Sequence, residues 1–283
     1  MKVFELKKNL EAYLLDFRKS AKTIGLVPTM GALHSGHLAL VKQALLDNHV
    51  VVVTIFVNPT QFNNSEDLIK YPRTLESDLK ALNTLTPDNI VVYAPPVKDV
   101  YPQGIVSKQY NLGYIEHEME GKFRPGHFQG VATIVENLFD IVKPNKAYFG
   151  EKDYQQLQII KKLVEITGQP IEIIPCSILR ESDGLAMSSR NQRLTPAHRE
   201  AAPFIYKTLK AAKKKFGTKS ASEVTNWVVN EFKKNKFLEL EYFAIADQST
   251  LKPVMRKQKF KKYRAFVAAF AGDIRLIDNI ALN

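Results

Sequence analysis

Apolar and polar positions in the first half of the chain follow two alternating patterns. Residues 50–57 and 90–94 are nearly continuous apolar runs rich in β-branched side chains, as expected of strands covered on both faces. Residues 37–48 instead place apolar side chains at helical spacing. Strands that alternate with helices favour a parallel sheet with right-handed crossovers, so the pattern predicts an α/β fold.

The same criteria predict the other elements of this half. The remaining expected strands are residues 24–28, 146–149 and 171–175. The remaining expected helices are residues 73–83, 131–142 and 154–167.

The pattern changes after residue 179. A polar loop at 180–194 leads into two predicted helices, at 196–215 and 220–234. The segments 238–246, 265–271 and 274–280 are typical of a small antiparallel sheet, with Gly272 and Asp273 in its last turn. We therefore predict two domains, an α/β domain of residues 1–176 and a smaller α+β domain of residues 177–283.

Composition and charge narrow the class of protein. The 283 residues are 45% hydrophobic and 24% charged, which is ordinary for a globular protein. No apolar run approaches the roughly 20 residues that span a bilayer, and the first residues lack the features of a signal peptide, so we expect a cytoplasmic protein. The single cysteine, Cys176, excludes an intrachain disulfide and a multi-thiolate zinc site.

The net charge of +11 is unevenly distributed. Residues 1–176 hold 19 basic and 19 acidic side chains, so the whole excess lies in residues 177–283. Such asymmetry can indicate contact with nucleic acid, a membrane or anionic small substrates. A solvated basic surface is the simpler interpretation, because the lysine clusters fall on polar stretches.

The first candidate site directly follows the first predicted strand, at residues 28–37, PTMGALHSGH. Ligands of open parallel sheets bind at the carboxyl ends of strands, and helix N-termini there suit phosphates. His34 and His37 are three residues apart, so both can face one spot and donate to a phosphate oxygen. The alternatives are that they cap the helix or pack in the core. Zinc binding is disfavoured, since no obvious third ligand is near.

A second candidate also lies at a strand end that enters a helix, at residues 149–153, FGEKD. Gly150 frees the turn, and the ammonium of Lys152 is a point charge suited to phosphate. Asp153 either accepts a hydrogen bond from a ribose hydroxyl or caps the following helix.

A third candidate is the polar loop at residues 183–191, DGLAMSSRN. The hydroxyls of Ser188 and Ser189 beside Arg190 are suited to clamp a triphosphate. Two serines beside an arginine are common in loops. This stretch therefore indicates phosphate binding only in combination with the two histidines.

Two further stretches suit small-substrate contacts. Asn58 and Gln61 follow the second strand, and Gln156 follows the lysine on its helix. Their amides can bind a hydroxy acid or make ordinary loop hydrogen bonds. Arg124, in the loop FRPGHF, offers a cation to a carboxylate or phosphate. Asp78 is a candidate for Mg²⁺, and an exposed helix carboxylate is the alternative.

Six stretches resemble, in order and approximate spacing, those of the pantothenate synthetases: PTMGALHSGH, FVNPTQF, YPRTLESD, FRPGHFQGV, FGEKDYQQL and DGLAMSSRN. The resemblance covers residues 28–194. It implies a Rossmann-like N-terminal domain with a smaller C-terminal lid, in a homodimer. It also implies ATP-dependent condensation of (R)-pantoate with β-alanine through a pantoyl-adenylate, with release of AMP and pyrophosphate, in the biosynthesis of vitamin B5 and coenzyme A.

The resemblance also implies roles for individual residues. The catalytic ones would be His37, His34 and Lys152. The ATP site would comprise Met30, Gly31, Ala32, Leu33, His34, Ser35, Gly36, His37, Gly150, Glu151, Lys152, Asp153, Leu179, Met187, Ser188, Ser189 and Arg190. Pantoate and β-alanine would contact Gln61, Gln156 and Asn58. Asp78 matches an acidic position near Mg²⁺, where Ser77 precedes it in place of a second acid.

Three other functions compete with this interpretation. An adenylyltransferase would share the histidine motif but act on a phosphorylated precursor, which the neutral surroundings of Gln61 and Gln156 disfavour. An aminoacyl-tRNA synthetase would need an anticodon-reading domain, which the sequence does not show. An RNA-binding protein would use the basic second half and bind in a salt-dependent way. No aromatic-rich RNA motif supports it, so we expect small-molecule substrates rather than nucleic acid or membrane as partners.

Overall fold

The computed structural model describes residues 1–63 and 65–283, and its first domain is built on a parallel sheet. The six strands of this sheet are β1 (Lys2–Phe4), β2 (Ile24–Thr29), β3 (Val50–Ile55), β4 (Ile90–Tyr93), β5 (Lys146–Gly150) and β6 (Glu172–Cys176). They lie in the order β1-β4-β3-β2-β5-β6, and every neighbouring pair is parallel.

Helices connect these strands. Those of the first domain are α1 (Lys7–Lys19), α2 (Ser35–Asp47), α3 (Ser65–Lys70), α4 (Leu75–Asn83), α5 (Val97–Val100), α6 (Glu120–Phe123), α7 (His127–Val142) and α8 (Tyr154–Thr167). Among the described residues, no helix is long and apolar enough to cross a membrane.

Successive side chains of β3 point to opposite faces of the sheet, because the side-chain period of a strand is two. Val50 and Val52 pack into the cluster that includes apolar residues of α1, α7 and α8, whereas Val51 and Val53 pack against α2 and α4. All four valines are buried. The continuous apolar run is therefore explained by helices on both faces.

The order of strands places a topological switch point between β2 and β5. From β2 the chain continues to β3 and β4 on one side, and it later returns to build β5 and β6 on the other. Connections leave in opposite directions here, which opens a crevice at the carboxyl ends of the two strands. Two of the three candidate loops start at these ends.

The second domain is a three-stranded antiparallel sheet with helices packed on it. Its elements are α9 (Pro196–Ala201), α10 (Phe204–Phe216), α11 (Ala221–Lys233), β7 (Glu239–Asp247), β8 (Tyr263–Ala271) and β9 (Ile274–Ala281). It has a hydrophobic cluster of its own, to which Leu209, Val228 and Val267 belong. The predicted fold class is confirmed, while the boundary between residues 176 and 177 stays a prediction.

The structure contains elements that the pattern does not predict, namely β1, α1 and the short helices α3, α5 and α6, and it divides one predicted helix in two. The strand β1 and helix α1 precede the first predicted strand, and Leu10 and Leu14 of α1 are fully buried. The helix expected at 196–215 is two helices, which meet at Ala202 and Pro203. Proline lacks a backbone N–H and clashes with the preceding turn, so it breaks the helix there.

Candidate functional site

A cavity of about 240 Å³ lies at the switch point. Its walls come from the ends of β2 and β5, the loop before α9 and one face of α7. The predicted residues that line it are Met30, His34, Gly36, His37, Asn58, Gln61, Gly150, Lys152, Asp153, Gln156, Leu179, Met187, Ser188, Ser189 and Arg190. The fold therefore brings together segments that are up to 160 residues apart in sequence.

The two histidines are held by the N-terminus of α2. Nδ1 of His34 accepts from the N–H of Gly36 at 3.1 Å, and Nδ1 of His37 accepts from the N–H of His34 at 3.4 Å. Their rings lie 4.0 Å apart between centroids. A Cβ on Gly36 would lie 2.7 Å from Cε1 of His34, so only glycine allows the ring to fold over the helix start. His34 and His37 therefore make capping hydrogen bonds and also line the cavity. The capping interpretation and the functional interpretation are compatible.

Both imidazoles are neutral near pH 7 in the free protein. Burial, followed by the charge of Lys152, lowers the pKa of His34 to about 4. Burial also lowers the pKa of His37 to about 3, with further contributions from His34 and Lys152. Because each Nδ1 accepts a backbone hydrogen bond, the proton of the neutral ring lies on Nε2. Each ring can then donate one hydrogen bond to a ligand without carrying charge.

Asp78 of α4 supports the loop that carries the histidines. Its carboxylate accepts from the N–H of Ala32 at 3.1 Å and from the N–H of Leu33 at 2.7 Å. Gly31 and Ala32 have φ of +80° and +50°, and the second of these is unusual for a residue with a side chain. The two accepted hydrogen bonds stabilise this strained turn. Asp78 is only 2% exposed, so the alternative of an exposed helix carboxylate is wrong.

The amide residues after β3 form a network of their own. Asn58 is 1% exposed, and its Nδ2 donates to Oε1 of Gln61 at 2.9 Å. Its Oδ1 accepts from the hydroxyl of Tyr101 at 2.6 Å. Asn58 thus orients Gln61, whose Nε2 lies 3.2 Å from the sulfur of Met30. Direct contact of Asn58, Gln61 and Gln156 with a substrate stays a prediction.

Gly130 of α7 allows the segment that carries Thr60 and Gln61 to lie close against this helix. A Cβ at this position would lie 2.2 Å from the carbonyl oxygen of Thr60 and 2.8 Å from the N of Gln61. Sequence reasoning missed this glycine, although it stands in the quoted stretch FRPGHFQGV. It also missed the apolar wall that α7 contributes to the cavity through Val131, Val135 and Leu138.

Side chains of the stretch FRPGHF contact the backbone carbonyl oxygen of Gln61. Nδ1 of His127 lies 2.8 Å from the carbonyl oxygen of Gln61, and Nη2 of Arg124 lies 3.4 Å from the same atom. Burial, followed by the charge of Arg124, lowers the pKa of His127 to about 3. A neutral Nδ1–H of His127 donates to that carbonyl.

The second candidate loop places its lysine beside the histidines. Lys152 and Asp153 both line the cavity, and their charged groups are 4.0 Å apart. Asp153 makes no side-chain capping hydrogen bond to α8, so that alternative is not observed. Its carboxylate remains available to a polar ligand.

The third candidate loop closes the cavity from the side of the second domain. The hydroxyl of Ser188 accepts from the N–H of Arg190 at 3.3 Å. Nη2 of Arg190 lies 3.3 Å from the carboxylate of Asp67 in α3. Because both charged groups are about 30% exposed, this ion pair is weak enough for an anionic ligand to compete for the guanidinium.

Six of the predicted residues do not line the cavity. These are Gly31, Ala32, Leu33, Ser35, Glu151 and Asp78. The first three shape the turn before His34, and Glu151 lies 3.5 Å from the guanidinium of Arg264 in β8. Their direct contact with ATP stays a prediction.

The described residues contain no group of three or more His, Cys, Asp or Glu side chains placed to hold a metal ion. Asp78 already accepts two backbone hydrogen bonds. A role for it as a metal ligand stays a prediction.

The sequence matches the profile of the family described as pantoate-beta-alanine ligase over residues 2–281. It is 55% identical over 283 residues to the pantothenate synthetase of Christiangramia forsetii. It is 56% identical over 282 residues to the pantothenate synthetase of Flavobacterium psychrophilum. Both alignments cover 100% of this chain and of the relative.

Solved structures show the same likeness. The pantothenate synthetase from Thermus thermophilus has a TM-score of 0.91 at 40% identity, covering 100% of this chain and 99% of that one. A pantoate-beta-alanine ligase from Francisella tularensis, complexed with beta-gamma ATP and beta-alanine, has a TM-score of 0.83 at 37% identity, covering 100% and 98%. The likeness therefore extends over both domains.

Proposed function

The chain belongs to the pantoate–β-alanine ligase family, and from this premise we propose that it condenses (R)-pantoate with β-alanine through a pantoyl-adenylate. The observation that supports this most is the meeting of His34, His37 and Lys152 at the switch-point cavity. Neutral donors beside one cation suit a nucleotide whose charge grows during phosphoryl transfer. The Francisella tularensis relative, complexed with beta-gamma ATP and beta-alanine, has the same fold.

In the first step, a carboxylate oxygen of pantoate attacks the α-phosphorus of ATP, and the bond to the β-phosphate bridging oxygen breaks. Pyrophosphate leaves, and a mixed anhydride forms. Negative charge grows on the transferring group and on the leaving group. Nε2–H of His37 and His34 donates to these oxygens, while Lys152 and Arg190 offset their charge. Ser188 and Ser189 supply further donors.

In the second step, the amine of β-alanine attacks the activated carbonyl carbon. The C–O bond to AMP breaks, the nitrogen loses a proton, and pantothenate and AMP are released. No protein nucleophile is required. Gln61 and Gln156 orient the pantoyl group, and the apolar wall of α7 excludes water that would hydrolyse the anhydride.

We propose that Mg²⁺ enters with ATP and is held mainly by phosphate oxygens, because no cluster of protein ligands is available among the described residues. When bound, Mg²⁺ would neutralise part of the negative charge of the phosphates. Asp78 would act on the histidine loop rather than on the ion.

A homodimer in the cytoplasm is also proposed, on the resemblance alone. Light scattering of the purified chain tests the oligomeric state. A mass of twice 32.1 kDa is expected, and a mass of 32.1 kDa would contradict the proposed dimer.

The activity is tested by mass spectrometry of products from ATP, Mg²⁺ and pantoate, with and without β-alanine. Pantothenate with equal amounts of AMP, formed only when β-alanine is present, is the expected result. Formation of ADP, or of AMP attached permanently to an acceptor, would contradict the proposal.

A further inference from the structure

Asn279 of β9 reaches from the second domain to the loop that carries Lys152. Its Nδ2 donates to the carbonyl oxygen of Glu151 at 2.9 Å and to that of Lys152 at 2.8 Å. The side chain is 2% exposed. One amide group therefore fixes two consecutive peptide units, at the entry to α8.

The orientation of this amide is determined by its other partner. Nη1 of Arg264 in β8 donates to Oδ1 of Asn279 at 2.5 Å. A guanidinium only donates and a backbone carbonyl only accepts, so the oxygen must face Arg264 and the nitrogen must face the loop. Arg264 is itself 5% exposed, and its guanidinium lies 3.9 Å from the ring centroid of Tyr154. The amide is thus fixed from both ends.

The neighbouring residue connects the same strand to the third candidate loop. Asp278 accepts from Nη1 and Nη2 of Arg180 at 2.6 and 3.0 Å, and it accepts from the N–H of Asn279 at 2.7 Å. Arg180 precedes the loop that carries Ser188 and Arg190. Two consecutive residues of β9 therefore hold the starts of both segments proposed to clamp the phosphates.

We infer that Asn279 is a positioning residue for the adenylation step, because it fixes the backbone from which the Lys152 side chain extends. The inference rests on the proposed role of Lys152. A lysine side chain has four rotatable bonds, so its ammonium is directed only as well as its Cα is held. Misplacement of a reacting group by about 1 Å can cost roughly 100-fold in rate.

The test uses the full chain with Asn279→Asp and Asn279→Ser. The aspartate keeps the shape but turns the two donors into an acceptor that repels both carbonyls, while the serine retains one donor. Asn283→Asp is the matched control, since the Asn283 amide also bridges backbone groups, donating to Lys261 and accepting from Tyr263 within the second domain. Circular dichroism melts check that each variant is folded.

Adenylation is measured as pantoate-dependent exchange of labelled pyrophosphate into ATP. For Asn279→Asp we expect kcat to fall about 100-fold, with the KM for pantoate changed less than about threefold. For Asn279→Ser we expect kcat to fall about tenfold, and for Asn283→Asp we expect kcat to stay within about twofold of the wild type. If Asn279→Asp does not fold, the serine variant carries the test. Wild-type kcat in a folded Asn279 variant would overturn the inference.

A double-mutant cycle separates positioning of Lys152 from general packing. In a Lys152→Ala background, Asn279→Asp should lower kcat by less than about threefold, because the ammonium group that Asn279 positions is gone. An equal cost in both backgrounds would overturn the inference. If Lys152→Ala alone retains the wild-type rate, the proposed function of Lys152 fails. If Lys152→Ala is slow and Asn279→Asp is not, only the inference about Asn279 fails.

Discussion

The two loops that meet at the switch point are held in different ways. The histidine loop after β2 is anchored within its own domain, because Asp78 of α4 accepts from Ala32 and Leu33. The lysine loop after β5 is anchored from the other domain, by Asn279 of β9. The first loop can therefore keep its shape whenever the parallel sheet is folded. The second depends on how the two domains pack, so the site is complete only when they are together.

The largest expected effect comes from removing the cation of the lysine loop. Lys152→Ala should lower the rate of adenylation about 10²- to 10³-fold without unfolding the protein, because one charge aimed at the developing phosphate charge is lost. His37→Ala should lose a similar factor from the other loop. Pyrophosphate exchange measures both. Lys161→Ala, at an exposed position of α8, is the matched control and should retain the wild-type rate. Near-normal exchange in folded Lys152→Ala would remove the lysine from the mechanism.

The next effect concerns the anchor of the histidine loop. Asp78→Asn replaces one acceptor with a donor that faces a backbone N–H, so we expect a loss of about 1–3 kcal/mol in unfolding free energy. Exchange should slow as well, because the turn at Ala32 is no longer held. Urea unfolding and exchange assays measure these losses, with the exposed Asp88→Asn as the control.

The same variant distinguishes an anchor from a metal ligand. If Asp78 acts on the loop, raising the Mg²⁺ concentration should leave the rate of Asp78→Asn unchanged. Restoration of the rate by Mg²⁺ would show instead that Asp78 binds the ion.

The segment after β3 that carries Thr60 and Gln61 extends the comparison, and its expected effect is smaller. Gly130→Ala introduces a Cβ against Thr60 and Gln61, so α7 and this loop must separate. We expect the KM for pantoate to rise about tenfold, with a stability loss of about 1–3 kcal/mol from overpacking. Gly217→Ala, at the end of α10 and outside the lining of the cavity, should leave KM unchanged. An unchanged KM in Gly130→Ala would remove the loop from pantoate binding.

The smallest effect is a dependence of stability on pH. The folded-state pKa of His37, about 3, lies below the ordinary 6.5 of an unfolded histidine. The unfolded state therefore binds more protons between these values, and stability falls as pH decreases from 6.5 towards 3. The urea midpoint of the wild type should drop between pH 7 and pH 5 more steeply than that of His37→Gln. Equal slopes would indicate that His37 titrates normally.

The sequence predicts the histidine loop better than what holds it. The motif at residues 28–37 contains its own turn glycine and helix cap and begins at the end of β2, so all of these are neighbours along the chain. The predicted bounds of helix α8 agree with those of the structure, since its apolar spacing continues without interruption from Tyr154 to Thr167. Local patterns of this kind can be interpreted without knowledge of the rest of the molecule.

The contacts that position the loops could not be predicted in this way. Asn279 lies 127 residues from Lys152, in a strand whose apolar pattern gives no sign of a polar partner. The sequence singles out Asp78, but for a metal rather than for two backbone N–H groups. Both roles arise from tertiary packing, which decides what a buried polar side chain meets. The helix break at Pro203 differs from these two contacts, because its cause is visible in the sequence. The apolar spacing continues across the proline, and for that reason the pattern predicts a single helix.

The most direct test of the central claim follows oxygen atoms through the reaction. Pantoate with both carboxylate oxygens labelled as ¹⁸O is incubated with ATP, Mg²⁺, β-alanine and the full chain, and AMP is examined by mass spectrometry. A pantoyl-adenylate requires that one labelled oxygen remain in the amide of pantothenate and the other appear in AMP. AMP without label, or label in inorganic phosphate accompanied by ADP, would contradict the acyl-adenylate.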